Sequence, residues 1–187
     1  MYHIKPDKRS KTSAVMLYDA LIACLKDKPF DKISITDIVT RATTSRSTFY
    51  RNFDEKTDIL CWKCDQRFEE VLRGYVAEGC KNDLGLLEYI FGYWQNHAEV
   101  LEILLNIRRI DIIYDSFFRK SPIVTDFLRQ HMALPKEQES YFTSIRMGVF
   151  IGVIQAWIQG GKKETAHELS IMLGEQFQQV ATGGLIF

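Results

Sequence analysis

From Ala14 to Leu25 apolar side chains recur three and four apart, at Ala14, Leu17, Tyr18, Leu21, Ile22 and Leu25. That spacing predicts a helix over about residues 10–26, capped by Ser10 or Thr12 and ended ahead of Pro29. Beyond it the pattern shortens. Ser34 and Asp37 are spaced as a capping box, and Ile35, Ile38, Val39 and Ala42 share the inner face of the helix they open. Thr43-Thr44-Ser45 follows, a run of hydroxyls that compete with the backbone for hydrogen bonds, so one helix breaks and Ser45 caps the next. From Arg46 to Phe53 the inward positions are Phe49 and Phe53, four apart, which leaves Arg46, Ser47, Thr48, Tyr50, Arg51 and Asn52 outward or flanking. Two short helices across a polar turn, braced by a longer one, make a helix-turn-helix.

The rest of the chain also reads as helix. A long one over about 55–79, with Asp54 as its N-cap, carries the stripe Leu60, Cys64, Phe68, Val71 and Tyr75. Further helices are predicted at about 84–96, 98–106 and 108–120, a short one at 123–132 between Pro122 and Pro135, and long ones at 136–159 and 164–181. The helix at 136–159 has the stripe Phe142, Ile145, Val149, Val153 and Trp157 and stops at Gly160-Gly161. On it Gly148, Gly152, Ala156 and Gly160 stand four apart. Glycine costs roughly 1 kcal/mol against alanine inside a helix, so the repeat needs a reason, and small residues in a row admit a second helix closely. That helix belongs either to a second copy or to the same chain. The last helix offers Ala166, Leu169, Leu173, Phe177 and Val180 at matching intervals.

Composition adds a polarity to this all-α plan. The 187 residues are 46% hydrophobic and carry no net charge, but residues 1–56 hold eleven Lys or Arg against seven Asp or Glu, and residues 57–187 thirteen against seventeen. A basic front on an acidic body suits a polyanion reader joined to a separate body. A short recognition helix with cations and hydroxyls on its free face fits a major groove, where Arg pairs with guanine and Ser or Thr touches base edges. Lys5, Lys8, Arg9 and Lys11 make the first residues a basic arm, either lying beside the groove or solvated.

Other chemistries find little support. Cys61 and Cys64 form a Cys-x-x-Cys, yet His3, His97, His131 and His167 are scattered singly and no second pair sits at metal-ligand spacing, so core packing is favoured over zinc or thiol sensing. No Gly-rich phosphate loop, metal cluster or nucleophile–base pair argues for an enzyme, and no cofactor is implied. The most apolar run, Met147 to Ile158, is too short to cross a bilayer, which places the protein in the cytoplasm.

The segments Ile33-Ser34-Ile35-Thr36-Asp37-Ile38, Arg41-Ala42, Ser45-Arg46-Ser47-Thr48-Phe49-Tyr50-Arg51-Asn52-Phe53, Lys56 and Ile59-Leu60 resemble the DNA-binding domain of the tetracycline-repressor (TetR-type) regulators. The resemblance covers roughly the first third of the chain. It implies a three-helix DNA-binding domain at 1–54 and a helical ligand-binding and dimerisation domain at 55–187. Position by position it makes Arg46, Ser47 and Thr48 groove-facing, Tyr50, Asn52 and Lys56 phosphate contacts, Thr36 a contact from the supporting helix and Arg51 a flanking one. The chain departs from the pattern at Thr43, where the family usually has Gly, so the turn either avoids a positive φ or is strained.

For the body the resemblance implies a small-molecule pocket, for which the aromatic supply suggests Tyr89, Trp94, Phe117 and Phe118, with His97 and Arg108 as polar neighbours. It also implies dimerisation through the last two long helices, with Gly148, Gly152, Ala156, Trp157, Leu169, Leu173 and Phe177 at the interface. The function that follows is a homodimeric regulator, a repressor released from a palindromic double-stranded operator by an effector. The alternative is a regulator or adaptor working through protein contacts with a weakened DNA-binding head.

Overall fold

The computed structural model describes residues 1–79, 83–123, 125 and 135–181, helical almost throughout. The short helix expected at 123–132 falls mostly outside them.

The first helix, α1 (Lys8–Leu25), starts earlier than the hydroxyls suggested, because the Asp7 carboxylate accepts the Ser10 N–H at 2.8 Å and caps it. Its buried face is Ala14, Leu17, Tyr18, Leu21 and Cys24. After a 3-10 turn (Phe30–Lys32), α2 (Ile35–Arg41) opens with the expected capping box: Asp37 N–H donates to Ser34 Oγ at 3.2 Å and Ser34 N–H to Asp37 Oδ2 at 2.7 Å. Bonds from Lys28 and then Ser34 hold the Asp37 carboxyl well below the ordinary carboxylate range.

The turn does not avoid the left-handed region. Thr43 sits at φ 51°, and behind it the Thr44 N–H closes onto the Val39 carbonyl at 2.9 Å. A β-branched side chain is disfavoured there because Cβ crowds the following carbonyl. Ser45 then caps α3 (Arg46–Asn52), accepting from Thr48 N–H at 3.1 Å.

Helix α4 (Lys56–Glu78) links the two halves of the chain. Its N-cap is Glu55 rather than Asp54, since the Asp58 carboxylate takes both the Asp54 and Glu55 N–H groups at 3.0 Å. Leu60, Cys64, Phe68, Val71 and Tyr75 are all buried as their spacing requires. Gly79, at φ 62°, ends the helix in the left-handed conformation.

In the body, α5 (Asp83–His97) and α6 (Glu99–Asn106) lead to α7 (Ile110–Lys120), which packs along α4. A 3-10 turn (Lys136–Gln138) precedes α8 (Glu139–Gln159), and α9 (Ala166–Ala181) lies against α5. The register of α8 differs from the stripe read in the sequence. Its buried residues are Met147, Ile151, Ile154 and Trp157, whereas Ile145 is 62% exposed. The helix is apolar on nearly every side, so periodicity alone does not select the face that goes inward. With the turn before it, Lys136–Gln159 runs 24 residues and contains an 18-residue window of mean hydropathy 1.3, which by length and composition alone would pass for a membrane span. Only 22% of that window is buried in the chain.

The first residues are not a free arm. Tyr2 forms an isolated antiparallel bridge with Phe53, and the His3 N–H donates to the Asn52 carbonyl at 2.7 Å.

Left-handed backbone costs roughly 1–2 kcal/mol for a non-glycine residue, and glycine gives back about 0.5–1 kcal/mol in chain entropy. Thr43→Gly is therefore expected to stabilise the head by about 0.5–1 kcal/mol, seen as a higher midpoint in chemical denaturation. An unchanged or lower midpoint would show that the turn carries no strain.

Candidate functional site

Short helix α3 is held from beneath by Phe49 and Phe53, whose rings lie 5.9 Å apart, with Trp62 of α4 6.1 Å beyond Phe53. Burying these rings fixes which way the helix faces. Arg46, Ser47, Tyr50 and Arg51 are exposed, Tyr50 by 54%, and Thr48 is half-buried. Arg46 Nη2 donates to Thr36 Oγ1 across the turn, so the supporting helix steadies the guanidinium at the start of α3. Ser45 Oγ lies 2.8 Å from Ser47 Oγ and 3.0 Å from Thr48 Oγ1, a hydroxyl cluster over the same helix start. Cations, hydroxyls and a phenol thus share one solvent-facing surface, suited to phosphates and base edges.

Two residues expected on that surface are elsewhere. Asn52 is 1% exposed: its Nδ2 donates to the Thr48 carbonyl at 2.8 Å, and its Oδ1 accepts from Ser10 Oγ at 2.7 Å. It ties α1 to α3 rather than reaching for a phosphate. Lys56 is also committed inward. Its Nζ donates to the carbonyls of Phe30 (2.6 Å), Ile33 (2.7 Å) and Asp31 (3.2 Å) and lies 4.7 Å from the Phe30 ring centroid. An ammonium has three N–H donors, and these carbonyls use them. Lys56 locks the 3-10 turn onto α4, and burial draws its pKa down.

The second feature is a cavity of about 580 Å³ between α4, α5, α7, α8 and α9. Its walls are largely apolar and aromatic, including Phe68, Phe91, Trp94, Phe117, Phe142 and Phe150. Phe68 of α4 meets Trp94, Phe117 and Phe150 edge to face at 5.1, 5.7 and 6.0 Å. Polar groups enter through Ser121, Thr125, Glu139, Thr143 and Arg146. Of the four residues expected to line a pocket, Trp94 and Phe117 do. Tyr89 instead packs against α4 so closely that a Cβ built on Gly74 would fall 2.0 Å from its hydroxyl, and Phe118 is an exposed ring beside Phe117. His97 stacks on Tyr93, with centroids 4.5 Å apart, and Arg108 is exposed; neither is among the lining residues. Phe142, Ile145 and Val149 of the expected α8 stripe line the cavity, and Arg146 and Phe150, four and eight residues beyond Phe142, join them from beside that stripe.

The residues expected at a dimer interface divide in the same way. Gly148, Gly152 and Ala156 are exposed, and neither glycine has any atom within 4 Å of a built Cβ. Trp157 is buried in its own chain, its Nε1 donating to the Glu164 carbonyl at 3.0 Å, and Leu169 is buried too. Leu173 and Phe177 line the cavity, Phe177 while still 47% exposed. Ile171 and Met172 are further outward apolar residues on α9. Burial pushes the Cys64 thiol up to about 12 and that of Cys61 to about 11, which removes the thiolate a redox sensor needs.

Residues 17–60 match the family described as bacterial regulatory proteins of the tetR family, and residues 82–179, about half the chain, match a transcriptional regulator C-terminal region. The chain belongs to the TetR family. It is accordingly a DNA-binding transcriptional regulator with a helix-turn-helix head and a helical C-terminal region. None of the curated proteins compared with this TetR-family chain matches it.

The geometry separates two kinds of polar residue in the head by what a substitution should do. Tyr50→Ala is expected to weaken binding to a selected duplex by about tenfold, the loss of a charge-assisted or stacking contact, with little change in melting temperature. Lys56→Ala removes the charged donor shared by the Phe30, Asp31 and Ile33 carbonyls and should destabilise the fold by about 1–3 kcal/mol. Anisotropy titration beside thermal melting separates them, and a Lys56→Ala protein that melts normally but loses DNA would restore the phosphate role.

Proposed function

We propose that the chain is a homodimeric, effector-responsive repressor that acts in the cytoplasm on a palindromic operator. Residues 1–54 serve as the DNA-reading domain and residues 55–187 as the effector-binding and dimerisation domain. Arg46, Ser47 and Thr48 face the bases, with Thr36 behind them, and Tyr50 and Arg51 hold the backbone.

The observation that carries this reading is the continuity of α4. It begins beneath the recognition helix at Lys56 and reaches the cavity at Phe68, Val71 and Leu72, about 18 Å along at 1.5 Å per residue. A volume near 580 Å³ falls in the range that takes a small molecule. The lining asks for a largely apolar, ring-bearing effector with a polar group toward Thr143 and Arg146. Such a ligand, binding better when the heads are wrongly spaced for two successive major grooves, draws the population away from the DNA-competent form. A few kcal/mol of differential affinity suffices.

Dimerisation uses the face of α8 marked by Tyr141 (72% exposed), Ile145, Gly148, Gly152 and Ala156, together with Ile171 and Met172 of α9. This face accounts for the apolar surface that α8 leaves unburied in its own chain.

A Cβ at Gly152 meets nothing within 4 Å, so the exposed position leaves room for a long side chain to point into solvent, and leaving glycine gains about 1 kcal/mol of helix propensity. Gly152→Arg should therefore fold normally, sediment as a monomer where the native protein sediments as a dimer, and bind the duplex at least about tenfold more weakly through lost bivalency. A dimeric Gly152→Arg protein would move the interface off this row.

A further inference from the structure

We infer that Tyr2, Asp65 and Arg119 form a latch through which the state of the cavity reaches the end of the recognition helix by a route separate from the tilt of α4. The inference rests on the reading of the cavity as an effector site.

Asp65 is a buried carboxylate at the meeting point of three segments. From α7, Arg119 Nη2 donates to its Oδ1 at 2.8 Å and Nε to its Oδ2 at 3.1 Å, while Ser116 Oγ receives a further Nη2 bond at 3.1 Å. From the first residues, the Tyr2 hydroxyl donates to Oδ2 at 2.7 Å. A carboxylate out of water needs such partners, so losing one raises the cost of the others. Tyr2 is in turn bridged to Phe53, and its neighbour His3 is bonded to the Asn52 carbonyl, at the C-terminal end of α3. The same end is held by Ser10 through Asn52. The side chain of Asp65 therefore sits one residue beyond the backbone that fixes the recognition helix.

The cavity wall begins one turn further along α4, at Phe68. Asp65 and Phe68 are three residues apart on α4, about 4.5 Å along the axis. Their partners on α7, Arg119 and Phe117, are two apart, and Lys120 adds a 2.8 Å bond to Glu69 of α4. Phe117 and Phe68 both line the cavity. A ligand that parts these two rings moves α7 from α4 where Arg119 grips Asp65. The carboxylate then follows Arg119 or loses it, and in either case the Tyr2 bond is disturbed. The strap of residues 2–5 is released and α3 loses the partner of its last carbonyl.

The test uses the full chain with N-phenyl-1-naphthylamine as an uncharged aromatic probe, its binding followed by fluorescence and the His3 amide by NMR hydrogen exchange. In the native protein the probe should accelerate His3 exchange by about tenfold, as expected for loss of a hydrogen bond to a charged group. In Tyr2→Phe, which keeps the ring and removes the hydroxyl, His3 should exchange fast without probe and gain nothing from it. By reciprocity that variant should also bind the probe more tightly, a change that a merely structural tyrosine would not produce. Probe binding with His3 unchanged, or with equal affinity in Tyr2→Phe, overturns the latch and leaves the cavity standing. A native protein that does not bind the probe overturns the cavity reading and the latch with it.

Discussion

Everything in this molecule depends on one uninterrupted helix that is core to both of its halves. The first turns of α4 bury Ile59, Leu60 and Trp62 in the DNA-binding head, and its later turns bury Phe68, Val71 and Tyr75 in the body. A helix is stiff because each turn is bonded to the next, so a displacement at the cavity end is felt at the other. Two further contacts run beside it. The Tyr18 hydroxyl of α1 donates to Glu99 of α6 at 2.9 Å, and Lys63 lies 5.0 Å from the Tyr18 ring centroid. Head and body are therefore joined at several points around α4.

The head itself is held by polar groups turned inward. Lys56, Asn52 and Asp58 all spend their hydrogen-bonding capacity on backbone or neighbouring side chains. In a head built from two seven-residue helices and a third longer one, apolar burial is limited, and each satisfied buried polar group also excludes competing arrangements. What remains outside is a small set, Arg46, Ser47, Tyr50 and Arg51, on the solvent side of α3. The division of labour between fixing the helix and reading DNA is sharper than residue type alone implies.

Legibility from sequence followed the contrast between faces. The helix-turn-helix was readable because Ser34, Asp37 and Ser45 are caps whose chemistry is local, and because Phe49 and Phe53 are the inward residues of an otherwise polar helix. The stripe on α4 was readable for the same reason. Helix α8 was not: with apolar residues on most sides, the line through Ile145 and Val149 looked as good as the true inner line through Met147, Ile151 and Ile154. Trp157 lies on both lines, and the stripe touched the cavity wall at Phe142, Ile145 and Val149 while passing beside Arg146 and Phe150. Asn52 and Lys56 were assigned from their place in a family pattern, and only three-dimensional partners, Ser10 and the carbonyls of Phe30 to Ile33, reveal that they face inward. The Asp65 cluster joins residues 63 and 54 positions apart, a separation that no local pattern encodes.

The central claim is that two copies of this chain read one symmetric site. Selecting random duplex DNA on the purified protein at moderate salt tests it most directly. The account predicts enrichment of a palindrome whose half-sites are centred about one helical turn, roughly 34–36 Å, or a multiple of it apart. Its binding should fall steeply as salt rises. A folded protein that enriches no sequence, or enriches a single half-site without symmetry, would contradict it.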